Sequence, residues 1–292
     1  MNTPTIAPAH RHRLRAHFAF TGVPFRKNMV AAKMFGSKAQ RDLFQALLMW
    51  IEVTGIALIT GPSGVGKSIT TRRFVQELDE QRYKVFRFAS ARSTVPGFLR
   101  SLNRLLALPM RAHSTDLYDQ AQRFLGTYAS EYGPHPLLVV DDAESLSVPV
   151  LDLLRHLTAY ELDAEDRFSL LLVGTPDLLR NMASPVLEPL RSRVGYAQPL
   201  RSFGKDDTRK YIDFHLKTAG VNRKLFSEEA ANRIFQASRG KPRSINQLAL
   251  QALIVAAVEG LDAIDTRTMA AIIDAHPLYS NVLGGKVCAP GT

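Results

Sequence analysis

Apolar residues recur along this chain in two rhythms, and the place where one gives way to the other divides it. The stretches Ile56–Ile59, Lys84–Ala89, Pro136–Asp142 and Phe168–Gly174 are short and largely apolar. Each has the length and β-branched or aromatic content of a buried strand. Between them the apolar positions take helical spacing. Leu43, Phe44, Leu47, Leu48 and Ile51 form one stripe, in a helix that Ser37 can cap and that ends near Gly55. Further helices are expected from the first turn after the first strand to about Glu80, at Gly97–Leu106 and Thr115–Tyr132, and from about Val148 to Tyr160. Strands alternating with helices predict an α/β fold, a parallel sheet covered on both faces with its ligand crevice at the C-terminal strand ends. From about Gly204 the strand pattern stops. Helical patterns follow at Asp206–Ala219, Ser227–Ser238, Pro242–Val258 and Thr266–Ala275, which predicts a small C-terminal helical lid. The expected organisation is thus a flexible basic arm (residues 1–17), a sheet-bearing core (18–203), the lid (204–275) and a flexible tail (276–292) rich in Gly and Pro.

Composition adds a core and a charge. With 292 residues, 46% of them hydrophobic, the chain can bury a large α/β domain and a smaller one. The apolar run Leu248–Val258 is interrupted by Gln251 and too short for a membrane span, and the N-terminus lacks the apolar centre of a secretory signal. One cysteine, Cys288, leaves no internal disulfide framework. A cytoplasmic protein with no membrane partner is expected. The formal charge of +10 attracts polyanions, nucleic acid first among them. No acidic residue precedes Asp42, whereas Arg11, Arg13, Arg15, Arg26, Lys27, Lys33, Lys38 and Arg41 do, so the N-terminus reads as a basic arm. Phe18, Phe20, Pro24 and Phe25 then form an aromatic segment that packs either in the core or on the adenine of a bound nucleotide.

The chemistry is concentrated after the first strand. Gly61, Pro62, Ser63, Gly64, Val65, Gly66, Lys67 and Ser68 fit the pattern G-x-x-x-x-G-K-[ST], and Ile69 continues into a helix. Glycines let backbone N–H groups converge on phosphate oxygens; Lys67 would reach the β and γ phosphates and Ser68 would ligate Mg²⁺. Asp141, at the end of the third strand, stands where a Walker B carboxylate holds Mg²⁺ through water, and Asp142 is placed to orient the attacking water. ATP and Mg²⁺ are therefore the expected cofactors. The chain contains no Asn-Lys-x-Asp guanine reader, which excludes a GTPase of the usual kind. It also has Ala129–Pro134 where a transporter ATPase carries Leu-Ser-Gly-Gly.

Two further segments, Leu190–Val194 and Gly240–Ser244, give the chain a resemblance to the AAA+ ATPases, in the branch of initiators, clamp loaders and transposition regulators. The resemblance implies that Arg193, with Arg191 as second choice, acts in trans on a neighbour's γ-phosphate, that Arg243 is the second sensor, and that Thr175 fills the first sensor position. Pro24-Phe25, an Asp-acidic-Ala Walker B, Val-Gly-x-Pro-x-Leu after the fourth strand and Gly-x-Pro-Arg-x-Ile-Asn before the lid helix are similar to the AAA+ partners of DDE transposases, the group of TniB, TnsC and MuB, close to the ATPase domain of ExeA. That resemblance covers about Phe18 to Ala275 and implies ATP-dependent binding to duplex DNA, homo-oligomeric rings or filaments, and recruitment of a DDE transposase. It also implies DNA contacts from Arg92 and Thr94. The family pattern has Glu where this chain has Asp142, so slow hydrolysis, or an ATP-binding switch with little hydrolysis, follows; Glu144 is the rival base, expected to be turned away from the nucleotide. An ExeA-like secretion-assembly ATPase is the alternative, and is expected to continue into a transmembrane helix that the sequence does not contain.

Overall fold

A computed structural model describes residues 13–26, 35–89, 94–160 and 166–280. These fall into two compact units, Lys38–Arg201 and, separately, Met1–Ser37 with Ser202–Thr292. In chain order the elements up to the sheet's centre are α1 (Arg13–Phe18), α2 (Lys38–Val53), β1 (Ile56–Thr60), α3 (Lys67–Glu77), β2 (Tyr83–Ala89), α4 (Val95–Leu105), α5 (Ser114–Tyr132) and β3 (His135–Asp141). There follow α6 (Val148–Leu157), β4 (Ser169–Gly174), α7 (Pro176–Met182), α8 (Glu188–Arg191), β5 (Val194–Pro199), α9 (Lys205–Thr218), α10 (Glu228–Ser238), α11 (Pro242–Glu259) and α12 (Thr266–Asp274).

The Lys38–Arg201 unit is a five-stranded parallel sheet in the order β2-β3-β4-β1-β5. Because side chains alternate across a strand, the unbroken apolar runs divide cleanly between two cores. Ile56, Leu58, Leu138, Val140, Leu170 and Leu172 point to one face and pack with Phe98, Leu125 and Leu154 of α4, α5 and α6. Ala57, Ile59, Leu137, Val139, Leu171 and Val173 point to the other and pack with Leu43, Leu47 and Phe74 of α2 and α3. Every residue of β1 and β4 is buried. The edges differ: β2 buries Phe86 and Phe88 alone, and β5 buries no residue fully. That exposure explains why β5, with Gly195 and Gln198 in its sequence, carries no apolar run and was not expected.

The second unit packs α9 to α12 around Ile212, Leu216, Ile234, Leu248, Leu253 and Met269. It also takes in the N-terminal segment and the first residues of the presumed tail, which corrects three expectations. Helix begins at Arg13, inside the presumed flexible arm, and His17 Nε2 lies 2.8 Å from the Leu261 carbonyl. The aromatic segment belongs to this helical unit and not to the sheet: Phe18, Phe20 and Phe25 are 1%, 5% and 4% exposed in its core. The first residues of the presumed tail are packed too, with His276 and Tyr279 buried and Tyr279 Oη donating to Gln247 Oε1 at 2.6 Å. Residues 1–12 and 281–292, the rest of the arm and tail, lie outside the described residues.

Candidate nucleotide site

The phosphate loop joins β1 to α3, and its form follows from its glycines. Gly61, Gly64 and Gly66 have φ of 157°, 79° and 109°, conformations that cost an L side chain about 1–2 kcal/mol each. A Cβ at Gly61 would also collide with the carbonyl of Leu200, whose own N–H donates to Thr60 O at 2.7 Å; the loop is thereby pinned beside the chain leaving β5. Gly66 stands at the N-cap of α3 and supplies no side-chain cap, which leaves the first-turn N–H groups of this helix without a partner from the N-cap side chain. This is the arrangement that phosphate oxygens fit. Val65 is buried in the sheet's core and anchors the loop from below. Lys67, 7% exposed, donates through Nζ to Gly61 O at 2.7 Å and Pro62 O at 3.3 Å, so its ammonium lies across the mouth of the loop.

The sheet brings the second set of residues alongside. β4 lies between β3 and β1, with Thr60 in register with Gly174, which places Thr175 next to the phosphate loop at the strand ends. Asp141 ends β3 and its Oδ1 accepts from the Asp142 N–H at 3.0 Å. Asp142 adopts φ of 53°, reversing the chain, and its side chain is exposed. A 3₁₀ turn, Ala143–Ser145, follows. It turns Glu144 back, contrary to expectation: Glu144 Oε2 accepts from the Thr175 N–H at 3.1 Å, and the Glu144 carbonyl accepts from Asn181 Nδ2 at 3.1 Å. Gly174 and Asn181 were not foreseen; the Val-Gly-x-Pro stretch was the signal for the former.

Lys67, Ser68, Asp141, Asp142 and Thr175 are thus assembled by one unit. Ser68 is exposed in the first turn of α3 and Asp141 is half-buried at the end of β3. Other expected residues stand differently. Arg193 donates to Arg155 O at 3.1 Å, and Arg191 donates to the carbonyls of Met182 and Ser184, so both tie the chain before β5 to neighbouring elements of the same unit. Arg243 is exposed in the first turn of α11, in the helical unit, after a turn in which Arg239 and Gly240 both have positive φ. Phe25 corrects its adenine role. It stacks on His215 at 4.9 Å, its N–H donates to His215 Nδ1 at 3.3 Å, and its burial leaves almost no surface for a base. Burial of His215 pushes its pKa down to about 4. Arg92 lies outside the described residues, and Thr94 caps α4 by accepting from the Gly97 N–H at 3.4 Å.

A glycine cradle, its lysine and a strand-end carboxylate on a parallel sheet define a P-loop nucleotide-binding domain. Residues 51–182 match a family profile described as AAA domain. Over 209 residues the chain is 29% identical to general secretion pathway protein A of Aeromonas hydrophila, an alignment that covers 70% of this chain and 38% of that protein. The chain thus spans well under half of that relative. Among solved structures, the Aeropyrum pernix ORC2 protein superposes with a TM-score of 0.63 at 15% identity, covering 86% of this chain and 71% of that one. Cdc6p from Pyrobaculum aerophilum gives 0.59 at 18% identity, covering 86% and 68%. At these identities the likeness is one of fold.

Proposed function

We propose that this chain is an ATP-dependent, sequence-nonspecific DNA-binding ATPase that oligomerises on duplex DNA and recruits or stimulates a DDE transposase. The observation that carries the ATPase part is the placement of Lys67, Ser68, Asp141 and Asp142 around one strand-end crevice, with uncapped helix N–H groups at its floor. In that crevice Lys67 would leave the Gly61 and Pro62 carbonyls for the phosphates, while Ser68 and Asp141 hold Mg²⁺, which supplies charge neutralisation at the β and γ oxygens. Asp142 would orient the attacking water. Arg193 from a neighbouring copy and Arg243 from the helical unit complete the assignment. The DNA part rests on the net charge of +10 and on the acid-free stretch before Asp42.

A second reading, an ATPase of secretion assembly, is favoured by the 29% identity to a general secretion pathway protein. No helix among the described residues is long and apolar enough to cross a membrane. Electron microscopy of the full chain with duplex DNA and a non-hydrolysable ATP analogue separates the two. Rings or filaments on DNA that require the analogue are expected; nucleotide binding without any DNA association would overturn the DNA reading.

A further inference from the structure

The helical unit carries a groove that the nucleotide and DNA assignments leave unused. Glu229, Asn232, Arg233 and Gln236 line it along one face of α10, and Thr266, the first residue of α12, borders it. Its volume is about 370 Å³, within the range of about 300–1,000 Å³ in which binding clefts fall, and it opens to solvent. All of these lining side chains are polar. Arg233 is half-buried there, yet among the described residues its guanidinium makes no hydrogen bond, ion pair or ring contact. A carboxylate is at hand, since Glu229 stands four residues earlier at the spacing where such pairs form on a helix. The two do not pair.

The neighbouring arginine of α9 behaves in the opposite way. Arg209 Nη2 lies 2.7 Å from Glu228 Oε1, and Arg209 Nε and Nη2 donate to Asn232 Oδ1 at 3.3 Å and 3.2 Å. That clamp occupies the oxygen of the Asn232 amide and leaves its Nδ2 N–H groups without a partner among the described residues. Arg233 and Asn232 thus give the groove a surplus of donors against one carboxylate, Glu229. A planar guanidinium beside an amide donor suits a carboxylate or a phosphate. A nucleic acid fits the surroundings poorly: successive phosphates would pass Glu229 and also Asp265, whose carboxylate caps α12 by accepting from the Thr268 N–H at 2.8 Å. Like charges brought that close repel. A peptide offers an isolated negative group, and backbone N–H groups that Glu229 can accept.

We propose that this groove is a docking site for an acidic peptide segment of a partner protein. An Asp or Glu of that segment pairs with the Arg233 guanidinium, Asn232 Nδ2 donates to a peptide carbonyl beside it, and Glu229 accepts a peptide N–H. The inference uses none of the residues given to nucleotide or DNA and stands or falls apart from them.

A random short-peptide library displayed on phage, selected on the full chain and counter-selected on its Arg233→Glu variant, supplies the probe. The retained peptides are expected to share an Asp or Glu. A retained set without a common acidic residue, or no peptide that separates the two proteins, overturns the proposal. In fluorescence anisotropy a labelled retained peptide should bind Arg233→Glu about tenfold or more weaker than wild type. Changing its shared acidic residue to Lys should abolish binding to the wild type and restore it to Arg233→Glu. That swap decides even if Arg233→Glu lowers the melting temperature, because a collapsed groove would not recover with a lysine peptide; no recovery counts against the proposal. Asn232→Asp keeps an oxygen for Arg209 and removes the amide donors, so it should weaken the same peptide without unfolding the unit, and unchanged affinity would refute the two-donor site. Duplex DNA that displaces the bound peptide would assign the groove to nucleic acid instead.

Discussion

Asp142 is one methylene shorter than the glutamate its position implies, and the structure sets it on a reversed backbone with φ of 53°. A carboxylate set back by about 1.5 Å costs roughly a hundredfold in rate where it must orient water. Asp142→Ala is therefore expected to abolish turnover at saturating ATP and leave ATP affinity intact, and Asp142→Glu to raise it; full turnover in the alanine variant would assign the base elsewhere. Gly66 permits a second test. At φ of 109° an alanine is strained by about 1–2 kcal/mol and faces Gln40 Nε2 at 2.5 Å, so Gly66→Ala should weaken nucleotide binding by roughly tenfold while the sheet stays folded. Unchanged affinity would mean that the N–H groups of this turn do not hold phosphate. At this scale the sequence was most legible where a motif fixes the spacing: the places of Lys67 and Ser68 at the start of α3 and of Asp141 at the end of β3 followed from motif and strand end alone. Glu144 was misjudged because a 3₁₀ turn reverses direction within three residues, and no hydrophobic period records such a reversal.

Among the elements, the buried strands and the helices longer than two turns were readable, since their apolar faces must meet a core. β5 and α1 were not. The first is an edge strand with an exposed pattern, and the second is a six-residue helix whose only fully buried residue is Phe18. What fastens α1 and the aromatic segment is specific: Thr21 N donates to Ala219 O at 2.8 Å, and the Phe25 N–H donates to His215 Nδ1. That acceptor exists only on the neutral imidazole. With the folded pKa depressed to about 4 and the unfolded value near 6.5, the unfolded chain takes up the proton first. Stability from this residue is complete above about pH 6.5 and falls as pH drops toward 4. Between pH 7 and 5 the loss is about 2 kcal/mol. Denaturant unfolding at the two pH values should show this drop in the wild type, and His215→Gln should remove it; an equal drop in both would place the proton elsewhere.

For the whole molecule, the open issue is whether copies complete one another's sites. Arg193 now donates to the Arg155 carbonyl of its own unit. If it also serves a neighbour's nucleotide, Arg193→Ala should bind ATP normally yet lose turnover. Mixing it with the equally inactive Lys67→Ala should then restore part of the activity; no recovery would confine Arg193 to joining β5 and α6.

The charge distribution supports a separate argument about DNA. Thr94 already caps α4, so Thr94→Ala should cost about 1 kcal/mol of stability and change DNA binding little, which shifts any specific contact in this region to Arg92. A lysine or arginine that neutralises one phosphate releases counterions, giving a slope of about −0.9 in log affinity against log salt for each contact. Arg92→Ala should therefore reduce the measured slope by about one, uniformly over duplex sequences. Replacing Arg11, Arg13 and Arg15 together reads the arm in the same units. A wild-type affinity unchanged between low and physiological salt would remove the electrostatic basis for DNA binding altogether, and with it the role given to the acid-free N-terminus.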